Sequence, residues 1–467
     1  MQLTPCFLAL LQEFRSVFTN PSYLTFVALL TGWTLSFRHR FITELIQSSG
    51  STRAGHHSRF HRFFSHAAWQ IERLWYCLAR LLLRVLVPSG LVELAIDDTL
   101  CRKRGLTVYG TGMHHDPLLS SKALKVFSWG HDWVVLCLIV RCFWAPSKVW
   151  CCPLMARLYR NRQGRTKGQK TKTAQQCKAA KTKQRARQRS ADPNHRTRPE
   201  LAVEMLELLA SWFPDRQFLV TGDSAYGGKS VLRRLPKNVD LVSRVAANAA
   251  LYAPAPVVLA GQKPKGRPRK KGERLSGMEG WAQDASAPWQ ELVFDQFGLH
   301  ATLQVKTRQA LYYKAGKDRL LNIVLVRDVL GQRPDQMFYC TRLDWDARTI
   351  LSSYSRRWAI EVTFANCKQL LGLEDPANRV PLAVSRTAPM ALVLYSLIVV
   401  WFHQQGHRWV EYPDRPWYRH KEEPSFADML STLRRRSWQQ QLLQVQSASE
   451  AMQKLLSLLI GFVSRAS

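Results

Sequence analysis

A chain of 467 residues with 67 Lys and Arg against 34 Asp and Glu carries a formal charge of +33. That excess calls for a polyanionic partner, with nucleic acid first, because each neutralised phosphate releases counterions. With 46% hydrophobic residues and 16 Trp, the chain describes roughly two to four folded domains, not a polybasic tail at a membrane surface.

Ten cysteines at irregular spacing, without paired Cys-x-x-Cys units, argue against zinc ribbons and a disulfide framework and suit reduced thiols in the cytoplasm. From Met1 to about Val87 apolar residues recur at helical spacing, as in Phe7, Leu8, Leu11 and Phe14 and again in Ile71, Leu74, Leu78 and Leu82, so residues 1–88 read as an all-helical domain. Glu13 soon interrupts the apolar start, and no secretory signal is read there. Between the helices, Arg53, Arg59 and Arg62 interleave with His56, His57, His61 and phenylalanines. This suits a module that grips DNA ends, or a solvated helix with an aromatic flank.

The period changes at Leu91. Leu91 to Ile96 reads as a buried strand ending in Asp97-Asp98-Thr99, and since neighbours on a strand face opposite sides, only one of the two acids can aim at a given site. Trp133 to Val140 and Lys148 to Cys152 continue as strands, an antiparallel meander opening an α/β sheet. The stretch 160–198 is then almost purely basic and is expected to order only on DNA. A helical stripe from Pro199 to Phe213 precedes the strand Gln217 to Thr221, which runs into Gly222-Asp223. An acid at the carboxyl end of a strand is where α/β folds place their sites.

Residues 237–350 read as a β-rich insertion, with strands beginning at Val239, Glu291, Ala301, Leu321 and Met337. Within it Gly266, Arg267 and Pro268 read as an AT-hook core for the minor groove, or as part of a loop that grips phosphates. Trp281 and Trp289 could stack an unpaired base, although core packing is the commoner role. Tyr354 to Lys368 contains no Pro or Gly and reads as one continuous amphipathic helix. At about 100° per residue, Tyr354, Arg357 and Lys368 all fall within about 40° of Glu361. One acid among cationic and phenolic groups suits a metal-binding carboxylate beside a phosphate grip, and an ion pair on a solvated face is the plainer reading. Ala388 to Phe402 is interrupted by Pro389 and is shorter than the roughly 20 residues a bilayer requires, so it reads as a buried helix with no membrane role. Residues 411–467 close the chain with helices containing Met429, Leu430 and Leu433, then Leu455, Leu456, Leu458 and Leu459, which cover the core or join two protomers.

The spacing of Tyr354, Arg357, Glu361 and Lys368, with two, three and six residues between them, resembles the signature of insertion-sequence transposases of the DDE superfamily, in the branch named for those four residues. The resemblance implies a ribonuclease-H-like mixed sheet with helices, formed by residues 89–236 and 351–410 and interrupted by the β-rich insertion. It implies Asp98, the acid immediately before Thr99, as the first catalytic residue, with Asp97 as the alternative, and Asp223 and Glu361 as the second and third. These carboxylates would hold two Mg²⁺ ions, with Mn²⁺ able to substitute. Tyr354, Arg357 and Lys368 would contact phosphates near the cleaved end. Arg267 is a further expected DNA contact on the separate AT-hook reading. The implied activity is cut-and-paste transposition on double-stranded DNA: two protomers bring the inverted-repeat ends together, cut them and join them to a target, at the bacterial nucleoid. The same site would also serve a nuclease without strand transfer, and a catalytically silent DNA-binding protein would share the charge.

Overall fold

The computed structural model describes residues 3–53, 55–121, 123–161, 195–256, 269–296, 299–412 and 420–443, with isolated positions beyond. The basic stretch 162–194, Arg267 with the rest of the AT-hook core, and most of the last expected helix lie outside the described residues. The N-terminal helical stripes become α1 (Pro5–Gln12), α2 (Asn20–Leu35), α3 (Ile42–Ser48), α4 (Ser58–Ser65) and α5 (Ile71–Leu86). The meander follows as β1 (Val92–Arg102), β2 (Gly112–His115), β3 (Phe127–Cys142) and β4 (Ala145–Tyr159). Then come α6 (Arg198–Trp212), β5 (Phe218–Gly222), α7 (Lys229–Leu232) and β6 (Val239–Val245). The next segment holds α8 (Met278–Gln283), β7 (Gln290–Gln296), β8 (Leu299–Leu311), α9 (Tyr313–Gly316), β9 (Leu320–Asp328) and β10 (Gln336–Cys340). The chain continues with α10 (Ala347–Arg356), α11 (Ala359–Leu371), α12 (Pro381–Thr387), α13 (Pro389–Gln404) and α14 (Phe426–Leu443).

Strands β4, β3, β1, β5 and β6 lie side by side in that order, the first three antiparallel and the last three parallel. This is the ribonuclease-H-like mixed sheet, and the expected fold class holds. The β-rich insertion is not a separate body. Its first expected strand, β6, pairs with β5 and is the fifth strand of the core; β10, β9, β8 and β7 then extend the same sheet to ten strands among the described residues. Two hydrophobic runs on paired neighbours bury each other more fully than either could alone, which favours continuation of an exposed edge over a second core.

The helical N-terminus also shares its interior with the sheet. One buried cluster runs from Leu3 and Trp33 through Leu94 and Val134 to Trp401 and Leu433. Polar ties reinforce the junction: Trp33 Nε1 donates to the Leu371 carbonyl at 2.7 Å, and buried Arg434 donates to the carbonyls of Thr34 and Ser36 at 2.7 and 2.8 Å. Helix α13 backs β4, where Ser396 Oγ donates to the Pro153 carbonyl at 2.8 Å. The stretch Pro381–Gln404 is long and apolar enough to cross a membrane, yet 94% of its most apolar window is buried inside the fold, as expected for a core helix.

Tyr354 to Lys368 departs from the single helix expected. Helix α10 ends at Arg356 and α11 begins at Ala359, joined by a tightened turn in which Arg357, Trp358, Ile360 and Glu361 each donate to the carbonyl three residues back. No Pro or Gly marks the break. The cause is tertiary: α10 packs on β6 and β10, whereas α11 lies over β1 and β4, and one straight rod cannot follow both regions of a twisted sheet.

Candidate active site

Strands β1 and β5 run parallel with Val92 opposite Phe218 and Ile96 opposite Gly222. Asp97 and Asp223 come one step beyond the last paired residues, near enough for Asp223 to push the Asp97 carboxyl up. Asp97 pairs with Arg357 and Asp223 acts on both Arg357 and Tyr354, so both acids lie toward α10 and α11. The parallel ladder stops at this point, opening the crevice that α/β sheets leave at strand carboxyl ends. Asp223 shapes its own turn, its Oδ1 accepting the backbone N–H of Ala225 at 2.8 Å and of Tyr226 at 3.4 Å.

The turn has no room for a larger residue at Gly227. A Cβ there would meet Ser243 Oγ at 2.2 Å and Ser243 Cβ at 2.7 Å, while Tyr339 donates its hydroxyl to the Gly227 carbonyl at 2.8 Å. Gly227→Ala is therefore expected to destabilise the fold by about 1–3 kcal/mol, the usual cost of overpacking, read as a lowered Tm in thermal denaturation. An unchanged Tm would show that the turn has slack.

The joint between α10 and α11 carries Glu361 toward these two aspartates. Arg356 Nε donates to Glu93 Oε2 at 2.7 Å, and the Arg357 guanidinium pairs with Asp97 Oδ2. Glu93 and Asp97 are four apart on β1 and share a face, so consecutive arginines pin the joint to one strand. Arg357 Nη1 also stands 3.9 Å from Glu361 Oε1, so a single guanidinium links Asp97 and Glu361. The Tyr354 ring packs edge-on against Phe338 at 4.7 Å between centroids, with Arg357 5.5 Å from its centre. Lys368 does not join this group: its Nζ donates to the Leu100 carbonyl at 2.7 Å and lies 3.9 Å from Glu374.

Asp98, expected as the first acid, and Asp97, its alternative, point to opposite faces of β1. Alternation turns Asp98 to the opposite face of the sheet, where its Oδ1 accepts the Tyr226 hydroxyl at 2.7 Å and its Oδ2 lies 3.4 Å from Arg198 Nε. Asp97 faces Asp223 and Glu361. Identity of the neighbouring Thr is no guide to facing; the β1–β5 register is. The network behind Asp98, formed by Arg198, Asp132 and Tyr226, was not read from the sequence. Its one visible signal is Asp132, a lone acid within an apolar strand.

Burial pushes the Asp97 carboxyl up to about 7; Arg357 pulls it down, and Asp98 and Asp223 push it further up. Burial also raises Glu361, with Arg357 opposing. At both acids burial outweighs the pull of Arg357. The donors of the site are oxygens, the hard ligands Mg²⁺ accepts. With Arg357 between Asp97 and Glu361, no group of three acidic, histidine or cysteine side chains among the described residues is close enough to hold an ion as placed. Trp281 is buried under Arg308, 3.9 Å from its ring centre, and Trp289 is flanked by Lys306 and Arg327 at 4.8 and 4.4 Å. Both rings are engaged in packing.

Comparison with curated proteins finds none that matches the chain. A family model described as DDE superfamily endonuclease matches residues 13–316, a span that contains Asp97 and Asp223 and ends before the helix carrying Glu361. Since that match covers more than half of the 467 residues, the chain belongs to the DDE superfamily of endonucleases.

Proposed function

We propose that this endonuclease is a transposase of the YREK-signature branch, with Asp97, Asp223 and Glu361 as the ligands of two divalent ions. The observation that carries the reading is the single guanidinium of Arg357 paired with both Asp97 and Glu361, with Asp223 near enough to act on Asp97. Held by these three carboxylates, divalent ions would supply activation of the attacking oxygen and charge stabilisation at the leaving one. The protein's own groups do the rest. Arg357 and Tyr354 lie at the acids and hold the scissile phosphate; Lys368, over Leu100, grips a phosphate further along the strand. Water attacks phosphorus, the bond to the 3′-oxygen breaks, and a 3′-hydroxyl is released; that hydroxyl then attacks a phosphorus of the target, displacing its 3′-oxygen.

Duplex ends bind the exposed face of α4 and the segment before it, where Arg53, His56, His57, Arg59, His61 and Arg62 face solvent while Phe60, Phe63 and Phe64 are buried. Arg267 and the basic stretch 160–197, without Arg198, add phosphate contacts. Two protomers pair the element ends. Incubating the protein with duplexes carrying the inverted repeats that bracket its gene, in Mg²⁺ or Mn²⁺ with a plasmid target, tests this. Nicked ends followed by joined products are expected, and both are lost with EDTA. Nicking without joining would reduce the activity to hydrolysis, and no cleavage in either metal would overturn the reading.

A further inference from the structure

We propose that Asp98 is a positioning residue that ties the first and second metal-binding acids together through Tyr226; this rests on the active-site reading above. The tie is a continuous path of hydrogen bonds. Asp97 Oδ1 accepts the backbone N–H of Asp98 at 2.9 Å, Asp98 Oδ1 accepts the Tyr226 hydroxyl at 2.7 Å, and the Tyr226 N–H donates to Asp223 Oδ1 at 3.4 Å. Tyr226 is only 1% exposed, so its ring is clamped between the strand and the turn, and the hydroxyl has a defined direction. Parallel pairing of β1 with β5 ends at Ile96 and Gly222. Beyond that point no ladder bond holds the two acids in step, and this path takes over from it.

Asp98 is itself held on its other side. Arg198 approaches its Oδ2 at 3.4 Å and is fixed by Asp132, to which its Nε donates at 2.6 Å, and by the Tyr159 ring, 4.5 Å from the guanidinium carbon. Asp132 is 1% exposed and lies on β3 beside β1. Arg198 opens α6, whose start is set by a capping box between Thr197 and Glu200. With both oxygens engaged on the face away from Glu361, Asp98 orients ligands without being one, the part that hydrogen-bond partners behind a metal site play.

The full-length protein tests this through Mn²⁺ binding, followed by calorimetry or electron paramagnetic resonance, with end-DNA binding measured in EDTA. Tyr226→Phe removes one oxygen and keeps the ring; it is expected to weaken Mn²⁺ binding by about tenfold, the lower end for such partners, with end-DNA affinity unchanged. Asp98→Asn keeps the acceptor for Tyr226 and is expected to stay within about threefold of wild type, whereas Asp98→Ala loses at least as much as Tyr226→Phe. Wild-type Mn²⁺ affinity in Tyr226→Phe would overturn the proposal. So would an Asp98→Asn protein as deficient as Glu361→Gln, because Asp98 would then be a ligand. Glu361→Gln separates the two layers: if it binds Mn²⁺ and cleaves like wild type, the site reading fails, whereas its failure alongside a normal Tyr226→Phe sinks only the positioning role.

Discussion

Glu361→Gln is expected to abolish metal-dependent cleavage, by more than the roughly 10–100-fold that loss of an outer partner of a metal costs, while leaving duplex-end binding intact. The amide matches the carboxylate in shape but offers no charge to a divalent ion. The fold has little invested in that charge. The Glu361 side chain is 42% exposed, and its ion pair with Arg357 spans 3.9 Å, a contact of the kind that contributes about 1 kcal/mol or less. Nicking rate and gel-shift affinity, measured on the same preparation, check the split. Equal loss of both would mark Glu361 as structural, and retained nicking would remove it from the site.

Asp97→Asn is expected to be inactive and, in EDTA at pH 8, more stable than the wild type. Asp97 is held up to about 7 in the folded protein, by burial first, against the pull of Arg357, with Asp98 and Asp223 adding to the rise. A carboxyl whose folded value is raised contributes stability that is fully present below its unfolded value, about 4, and is lost as pH rises through about 7. Above that pH the buried charge costs up to roughly 4 kcal/mol. Asn has no charge to lose, and Arg357 keeps Glu361 as a partner. Thermal denaturation at pH 6 and pH 8 should therefore show the variant gaining on the wild type as pH rises. Burial likewise pushes Asp132 up to about 7, with Asp98 adding and Arg198 opposing; it is present in both proteins, so the difference between them isolates Asp97. Added Mg²⁺ should stabilise the wild type and not the variant. A variant less stable at pH 8 would mean that the pair with Arg357 outweighs the cost of burial. Such a trade, stability given up for a clustered charge that a cation later neutralises, is common at functional sites.

Much of this molecule is legible before any coordinate is seen. Alternating apolar runs at β1, β3 and β4, the strand leading into Asp223, and the spacing of Tyr354, Arg357, Glu361 and Lys368 depend on local periodicity, which a linear chain displays directly. The charge of +33 likewise needs no fold to point toward a polyanion. What the chain could not display was facing and register. Asp97 and Asp98 are adjacent and chemically identical and differ only in which side of the sheet each meets, and that is decided by the pairing of Ile96 with Gly222. The break between α10 and α11 carries no residue signal because it answers to the twist of a sheet assembled from distant segments. For the same reason the β-rich segment looked like a domain of its own: a strand's sequence records what it buries but not which edge it joins, and here β6 and its successors complete the sheet that the two aspartates end.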